Sequence, residues 1–181
     1  MKVVLASASP RRHELLKEIF AEFEIHPAAA DEDFIGSTPE ATVKEIASRK
    51  IVGIKGDLVI GCDTVVYLDG EYYHKPADRK AAINMLAALS GKTHEVYSGL
   101  TVAYKGKIYK ESEKSEVIFK ELTPEGIAQY VDTFLPFDKA GAYGIQDEYP
   151  VAGYRGSYTN IMGLPLEKLK ELLARIGVTN G

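Results

Sequence analysis

With 181 residues, a net charge of −4 and 27% charged residues, the chain is long enough to bury a core without disulfides or metal staples. Its one cysteine, Cys62, excludes a disulfide framework and a multi-cysteine zinc site and suits a reducing, cytoplasmic setting. The acidic balance excludes nucleic-acid binding through a general basic face, and no apolar run approaches the ~20 residues of a membrane span, so neither nucleic acid nor membrane is an expected partner.

Helix and strand patterns alternate from end to end without linker, repeat or charge block, which predicts a single α/β domain over residues 1–181. Residues 2–6 read as a buried strand, too short an apolar stretch for a signal peptide, so an untargeted soluble protein is expected. A helix is predicted over residues 10–21, with Ser9 as N-cap, Pro10 as first helical residue and Leu15, Leu16, Ile19 and Phe20 as its buried stripe. A short strand over residues 23–26 follows. Thr38-Pro39-Glu40 then opens a helix reaching about Ile54, whose inward positions are Val43, Ile46, Ala47 and Lys50.

Residues 58–68 form the longest apolar run and read as a central strand, and Asp69-Gly70 as a two-residue hairpin turn. Counting back across that turn pairs Leu68 with Glu71 and Thr64 with Lys75, which puts Lys75 diagonal to Asp63. A regular ladder points these two to opposite faces, so their contact requires a bulge, a strand end or the length of the lysine. Asp78 caps a helix over residues 79–89 that stops at Ser90-Gly91. Strands are predicted over residues 93–104, 107–111 and 113–122, with a turn at Lys105-Gly106 and the last two candidates for one continuous strand. Thr123-Pro124-Glu125 opens a helix ending near Thr133. The last helix starts at Pro165, carries Leu166, Leu169, Leu172, Leu173 and Ile176, and stops at Gly177; residues 134–164 are the least regular stretch.

Three places carry unusual chemistry. Arg11 and Arg12 stand at a helix N-terminus, where positive partial charge makes cations unfavourable unless an anion joins them, and phosphate is the natural candidate. Asp63 lies in the middle of a core strand, where an ionised carboxylate costs several kcal/mol unless a cation or metal compensates it, and the inward Lys50 also needs an explanation. Asp31-Glu32-Asp33 is a second acidic group; one of these with Asp63 suits a magnesium-like ion that bridges phosphate oxygens. Residues 139–146, Lys-Ala-Gly-Ala-Tyr-Gly-Ile-Gln, combine small residues with the donor and acceptor of Gln146. They match neither a phosphate-binding Gly-Lys loop nor a dinucleotide fingerprint, and His13, His26, His74 and His94 are too scattered for a zinc set.

Taken together, Leu5-Ala6-Ser7-Ala8-Ser9-Pro10-Arg11-Arg12, Ile46-Ala47-Ser48-Arg49-Lys50, Gly61-Cys62-Asp63-Thr64-Val65-Val66, Lys75-Pro76, Leu89-Ser90-Gly91-Lys92-Thr93-His94, Asp138-Lys139 through Gln146 and Gly163-Leu164-Pro165-Leu166 resemble the Maf family of nucleoside triphosphate pyrophosphatases, also called septum formation inhibitors. The resemblance implies a Maf/ITPase-like α/β fold, a long twisted mixed sheet with helices and two lobes flanking a cleft. It implies hydrolysis of a nucleoside triphosphate to monophosphate and pyrophosphate with Mg2+ or Mn2+, and a homodimer as the candidate assembly. The stretch up to Gln146 is similar to the branch acting on dTTP and UTP, with Arg12, Thr64 and Gln146 at specificity positions. Asp63 falls on the proton-acceptor position and Glu32 on a second acidic one, with Asp31 or Asp33 as alternatives; Asp63 and Glu32 are also the implied metal ligands. Ser7, Ser9, Arg11, Arg12, Lys50, Thr64, Lys75 and Gln146 are the expected substrate-binding residues. A 7-methyl-GTP branch and a non-catalytic nucleotide-binding regulator of cell division are the competing expectations. Asp147-Glu148 depart from the pattern, which often has glycine there.

Overall fold

The computed structural model describes residues 1–28, 30 and 33–178. In chain order the elements are β1 (Val3–Leu5), α1 (Pro10–Leu16), β2 (Glu24–Ile25), α2 (Pro39–Lys50), β3 (Leu58–Leu68), β4 (Glu71–Tyr73), α3 (Arg79–Leu89), β5 (Thr93–Tyr104), β6 (Lys107–Phe119), α4 (Pro124–Phe134), β7 (Val151–Arg155), α5 (Tyr158–Met162) and α6 (Leu166–Arg175). The strands form a seven-stranded mixed sheet in the order β2-β1-β3-β5-β6-β7, with β4 paired to β3. β1 runs parallel to both β2 and β3, while β3–β4 and β6–β7 are antiparallel. The chain divides into two compact units, one of Met1–Thr64, Tyr97–Glu113 and Thr159–Gly181, the other of Val65–Val96 and Lys114–Tyr158.

In the first unit, alternation along β1 sends Val3 and Leu5 into one core with Leu15, Leu16, Leu58, Ile60, Leu164 and Leu169, and Val4 and Ala6 into a second with Ile51 and Val59. Both faces of β1 are thus covered, as parallel strands require. Each fully buried leucine contributes about 2 kcal/mol on this count. The helix starts are set by side-chain caps. Ser9, Thr38, Asp78 and Thr123 each accept from a backbone N–H three residues on, and proline follows three of the four. Each such cap is worth about 1 kcal/mol.

The structure departs from the sequence pattern in four places. α1 ends at Leu16 rather than near residue 21, because the next N–H groups, of Glu18 and Ile19, turn back to carbonyls only three residues behind. Ile19 and Phe20 remain buried without being helical. α2 ends at Lys50 rather than Ile54. The irregular stretch contains a strand, β7, that pairs with β6 across a register shift at Ile118/Phe119, and a short helix, α5, whereas the continuity of β6 over Lys107–Phe119 is one of the two expected outcomes. The Asp69-Gly70 turn has both residues left-handed, φ 49° and 83°, and pairs Leu68 with Glu71 as expected. The ladder stops at Val66↔Tyr73, so Thr64 and Lys75 are not a ladder pair.

α2 lies unusually close to the sheet. A Cβ on Gly99 of β5 would sit 2.3 Å from the Val43 carbonyl oxygen, and one on Gly61 of β3 would sit 2.7 Å from that of Ala47. Two absent side chains therefore let the helix backbone rest on the strands, which sets how deep its inward face reaches. Gly99→Ala is expected to destabilise the protein by about 3 kcal/mol through overpacking against rigid backbone, read as a lowered denaturant midpoint.

Candidate active site

The buried charged side chains of the described residues number three, and all belong to one locality of the first unit: Arg12, Lys50 and Asp63, each less than a tenth exposed. Asp63 stands mid-β3. Lys50 is the last residue of α2, on the same inward stripe as Val43, Ile46 and Ala47. The close seating of α2 allows its Nζ to donate to Asp63 Oδ1 at 3.1 Å and to the Cys62 carbonyl at 3.1 Å. The lysine in the stripe and the aspartate in the strand thus explain each other. Asp63 Oδ2 is fully buried and has no hydrogen-bond partner among the described residues.

Arg12, the third residue of α1, reaches inward from its first turn. Its Nε donates to the Gly163 carbonyl at 2.6 Å, Nη1 to Ser7 Oγ at 3.3 Å and Nη2 to Thr64 Oγ1 at 3.1 Å. Every one of these acceptors is neutral, and no carboxylate among the described residues pairs with Arg12. Among the described residues the guanidinium is thus oriented by neutral dipoles and not by an opposite charge, an arrangement that leaves it able to pair with an anion. Arg11 points its Nε to the Met162 carbonyl at 3.3 Å. Ser7 Oγ also accepts from the Ser9 N–H at 3.1 Å, and the Ser7 carbonyl accepts from His13 Nε2 at 2.7 Å, so the segment between β1 and α1 is held from both sides. Burial pushes the Cys62 thiol up, so it stays protonated and donates to the Gly163 carbonyl at 3.3 Å.

Within this unit the structure brings together Ser7, Ser9, Arg11, Arg12, Lys50, Asp63 and Thr64 from positions far apart in the chain. Asp33 is described and exposed, whereas Asp31 and Glu32 lie outside the described residues. Lys75 and Gln146 belong to the second unit, and both are exposed. There the Gly141 N–H donates to the His74 carbonyl at 3.3 Å, tying the segment before Gln146 to the residue before Lys75. The turn carrying Gln146 is closed by Asp147 N–H to the Gly144 carbonyl at 3.0 Å; Tyr130 Oη accepts from the Gly144 N–H and donates to Asp147 Oδ2 at 2.5 Å. Behind it, Tyr143 and His94 bond at 2.7 Å and pack edge-on with Phe119.

Gly163, His13, Ser98 and Asn160 were not singled out by sequence reasoning. A main-chain carbonyl has no signature in sequence, although Gly163-Leu164-Pro165 does stand among the quoted motifs.

A mixed sheet with one buried carboxylate on β3 and two buried cations on the helices α1 and α2 has the excess of buried positive charge that suits an anionic ligand. The chain belongs to the Maf-like family: the family model described as Maf-like protein matches residues 2–176. It is 44% identical over 176 residues to the dTTP/UTP pyrophosphatase of Thermosipho africanus, covering 96% of this chain and 92% of that one. It is 45% identical to the dTTP/UTP pyrophosphatase of Moorella thermoacetica (98% and 96% covered) and 43% to that of Clostridium acetobutylicum (98% and 99%). Among solved structures, the Staphylococcus aureus Ham1 protein aligns with a TM-score of 0.44 and 16% identity over 66% of this chain and 72% of that one. Among the described residues no helix is long and apolar enough to cross a membrane.

Two outcomes are expected from these environments. Lys50→Ala leaves Asp63 buried without its cation and is expected to cost about 3–5 kcal/mol in urea unfolding, much of it recovered in the Lys50→Ala/Asp63→Asn double variant. Burial lowers the His94 pKa from 6.5 to about 4. The unfolded chain therefore binds the extra proton first: the stability due to neutral His94 is complete above pH 6.5 and is lost as pH falls toward 4, on the order of 3 kcal/mol in all. Unfolding midpoints measured across that window should fall less steeply in His94→Gln than in the parent protein.

Proposed function

We propose that this protein hydrolyses dTTP and UTP to the nucleoside monophosphate and pyrophosphate, clearing these and modified pyrimidine nucleotides from the cytoplasmic pool. The observation that carries the reading is the buried arrangement of Arg12, which has no carboxylate partner among the described residues, beside the Lys50–Asp63 pair, whose Oδ2 has no hydrogen-bond partner among them either, in a chain whose relatives bear the dTTP/UTP pyrophosphatase name.

On this reading each residue has a task. Arg11, Arg12, Lys50 and Lys75 supply positive charge to the triphosphate. Ser7 Oγ accepts two hydrogen bonds, and its own proton has no acceptor among the described residues, which leaves it to donate to a phosphate oxygen. The N–H groups opening α1, with Ser9 as the cap, add donors of the same kind. Gln146 offers both a donor and an acceptor to the edge of a pyrimidine. Asp63 Oδ2 accepts a proton from the water that attacks the α-phosphorus, while Lys50 holds Oδ1 and fixes the carboxylate plane.

The chemistry of the site fits a divalent cation. A buried carboxylate oxygen lacking any partner is the donor a hard ion takes, and Mg2+ or Mn2+ is ordinarily held by one or two carboxylates together with substrate phosphates and water. Asp63 would hold it, with Glu32 as the second ligand. When bound, the ion adds charge stabilisation at the phosphoryl oxygens.

The test is product analysis. Incubation with dTTP or UTP, with and without Mg2+ or Mn2+, is expected to yield monophosphate and pyrophosphate in equal amounts. Diphosphate and inorganic phosphate in their place would refute the bond specificity. Asp63→Asn is expected to lower kcat at least 100-fold, the usual worth of a general base, while a non-hydrolysable dTTP analogue still binds. Faster turnover of 7-methyl-GTP than of dTTP would move the protein to the other branch.

A further inference from the structure

Resting on the reading above, we propose that Ser98, on β5, is a positioning residue for substrate binding: through Thr64 it sets the orientation of the Arg12 guanidinium, and it commits the Thr64 hydroxyl proton to the protein rather than to the substrate. Ser98 is fully buried and touches neither Arg12 nor any charged group in the hydrogen bonds it makes.

The direction of every proton in the chain follows from its acceptors. The Gly163 carbonyl already accepts from Arg12 Nε at 2.6 Å and from Cys62 Sγ at 3.3 Å, so its two lone pairs are engaged and Thr64 Oγ1, at 3.4 Å, is a distant third. The Asn160 carbonyl, 3.3 Å from Ser98 Oγ, can only accept, so Ser98 donates to it. The 2.8 Å contact between Ser98 and Thr64 needs one hydrogen between the oxygens, and with the Ser98 proton committed that hydrogen belongs to Thr64. Thr64 in turn has lone pairs for Arg12 Nη2 at 3.1 Å. The result is a one-way chain, from guanidinium to Thr64 to Ser98 to the Asn160 carbonyl, in which each donation strengthens the oxygen that accepts the one before.

Two consequences separate this from a packing role. Thr64 contributes to anion binding by holding Arg12, so losing its hydroxyl and losing the Ser98 hydroxyl break the same chain. Arg12 meets the phosphates before and during reaction alike, so the defect falls on binding rather than on turnover.

The experiment is a double-variant cycle with Ser98→Ala and Thr64→Val. Affinity for inorganic tripolyphosphate is measured by titration calorimetry, KM and kcat are measured for dTTP, and folding is followed by circular dichroism. Each single variant is expected to weaken tripolyphosphate binding and raise KM about fivefold, the worth of one hydrogen bond, with kcat within twofold of the parent. The double variant should be no worse than Thr64→Val alone, because the chain is already cut there. Ser98→Ala within twofold of the parent, a loss confined to kcat, multiplied effects in the double variant, or a parent protein that does not bind tripolyphosphate would each overturn the proposal. A parent that binds tripolyphosphate but releases no pyrophosphate from dTTP would sink the activity instead, and the calorimetric cycle would still decide the role of Ser98.

Discussion

The Lys50–Asp63 pair is the constraint around which the first unit is arranged. Two charges removed from water cost several kcal/mol each, and the cost is offset only where the geometry is close and the remaining bonds are supplied. Here it is close because α2 rests on β3 and β5 at distances that no side chain at Gly61 or Gly99 would permit. Lys50 gains the Cys62 carbonyl as a further acceptor, whereas Asp63 keeps one buried oxygen without a partner among the described residues. An unused buried carboxylate oxygen is unfavourable for stability alone. Its retention makes sense where a ligand, a metal or a transferring proton completes it.

Arg12 follows a complementary logic. Its three hydrogen bonds go to a carbonyl and two hydroxyls, which orient the guanidinium without neutralising it. A carboxylate in any of these places would have neutralised it in an ion pair. In the second unit the buried polar groups are uncharged instead: neutral His94 bonds Tyr143, and Tyr130 bridges Gly144 and Asp147 in the turn that carries Gln146. Desolvation keeps His94 neutral and raises the Tyr130 and Tyr143 hydroxyls, so none of these side chains carries charge near neutral pH. Among the described residues the buried charges lie in the first unit, and the buried polar side chains of the second are neutral imidazole, phenol and hydroxyl groups.

Much of this was readable from residues alone because its causes are local. Ser-Pro, Thr-Pro and Asp caps announce helix starts, Asp69-Gly70 announces a hairpin, and a lysine on an apolar stripe together with an aspartate in an apolar strand each demand a partner. What escaped has non-local causes. β7 carries a mid-strand glycine and is a strand because β6 lies beside it. The end of α1 is fixed by backbone bonds in the following turn, while Ile19 and Phe20 keep the apolar spacing that suggested a longer helix. Ser98 looks like any small polar residue in a strand, and its value comes from lying between Thr64 and the Asn160 carbonyl. The register counted from the turn held, with Leu68 opposite Glu71 and Val66 opposite Tyr73, and only its extension to Thr64 and Lys75 did not.

Gly163 holds Arg12, 151 positions away in the chain, with an atom every residue type possesses. Its backbone, at φ 121°, is open almost solely to glycine. The oxygen that steers the arginine is therefore aimed by a torsion angle, and a single codon change there would misdirect the cation while leaving every charged residue in place. Inheritance of ligand affinity in this chain runs in part through conformation, at a locus that no inventory of functional groups would flag.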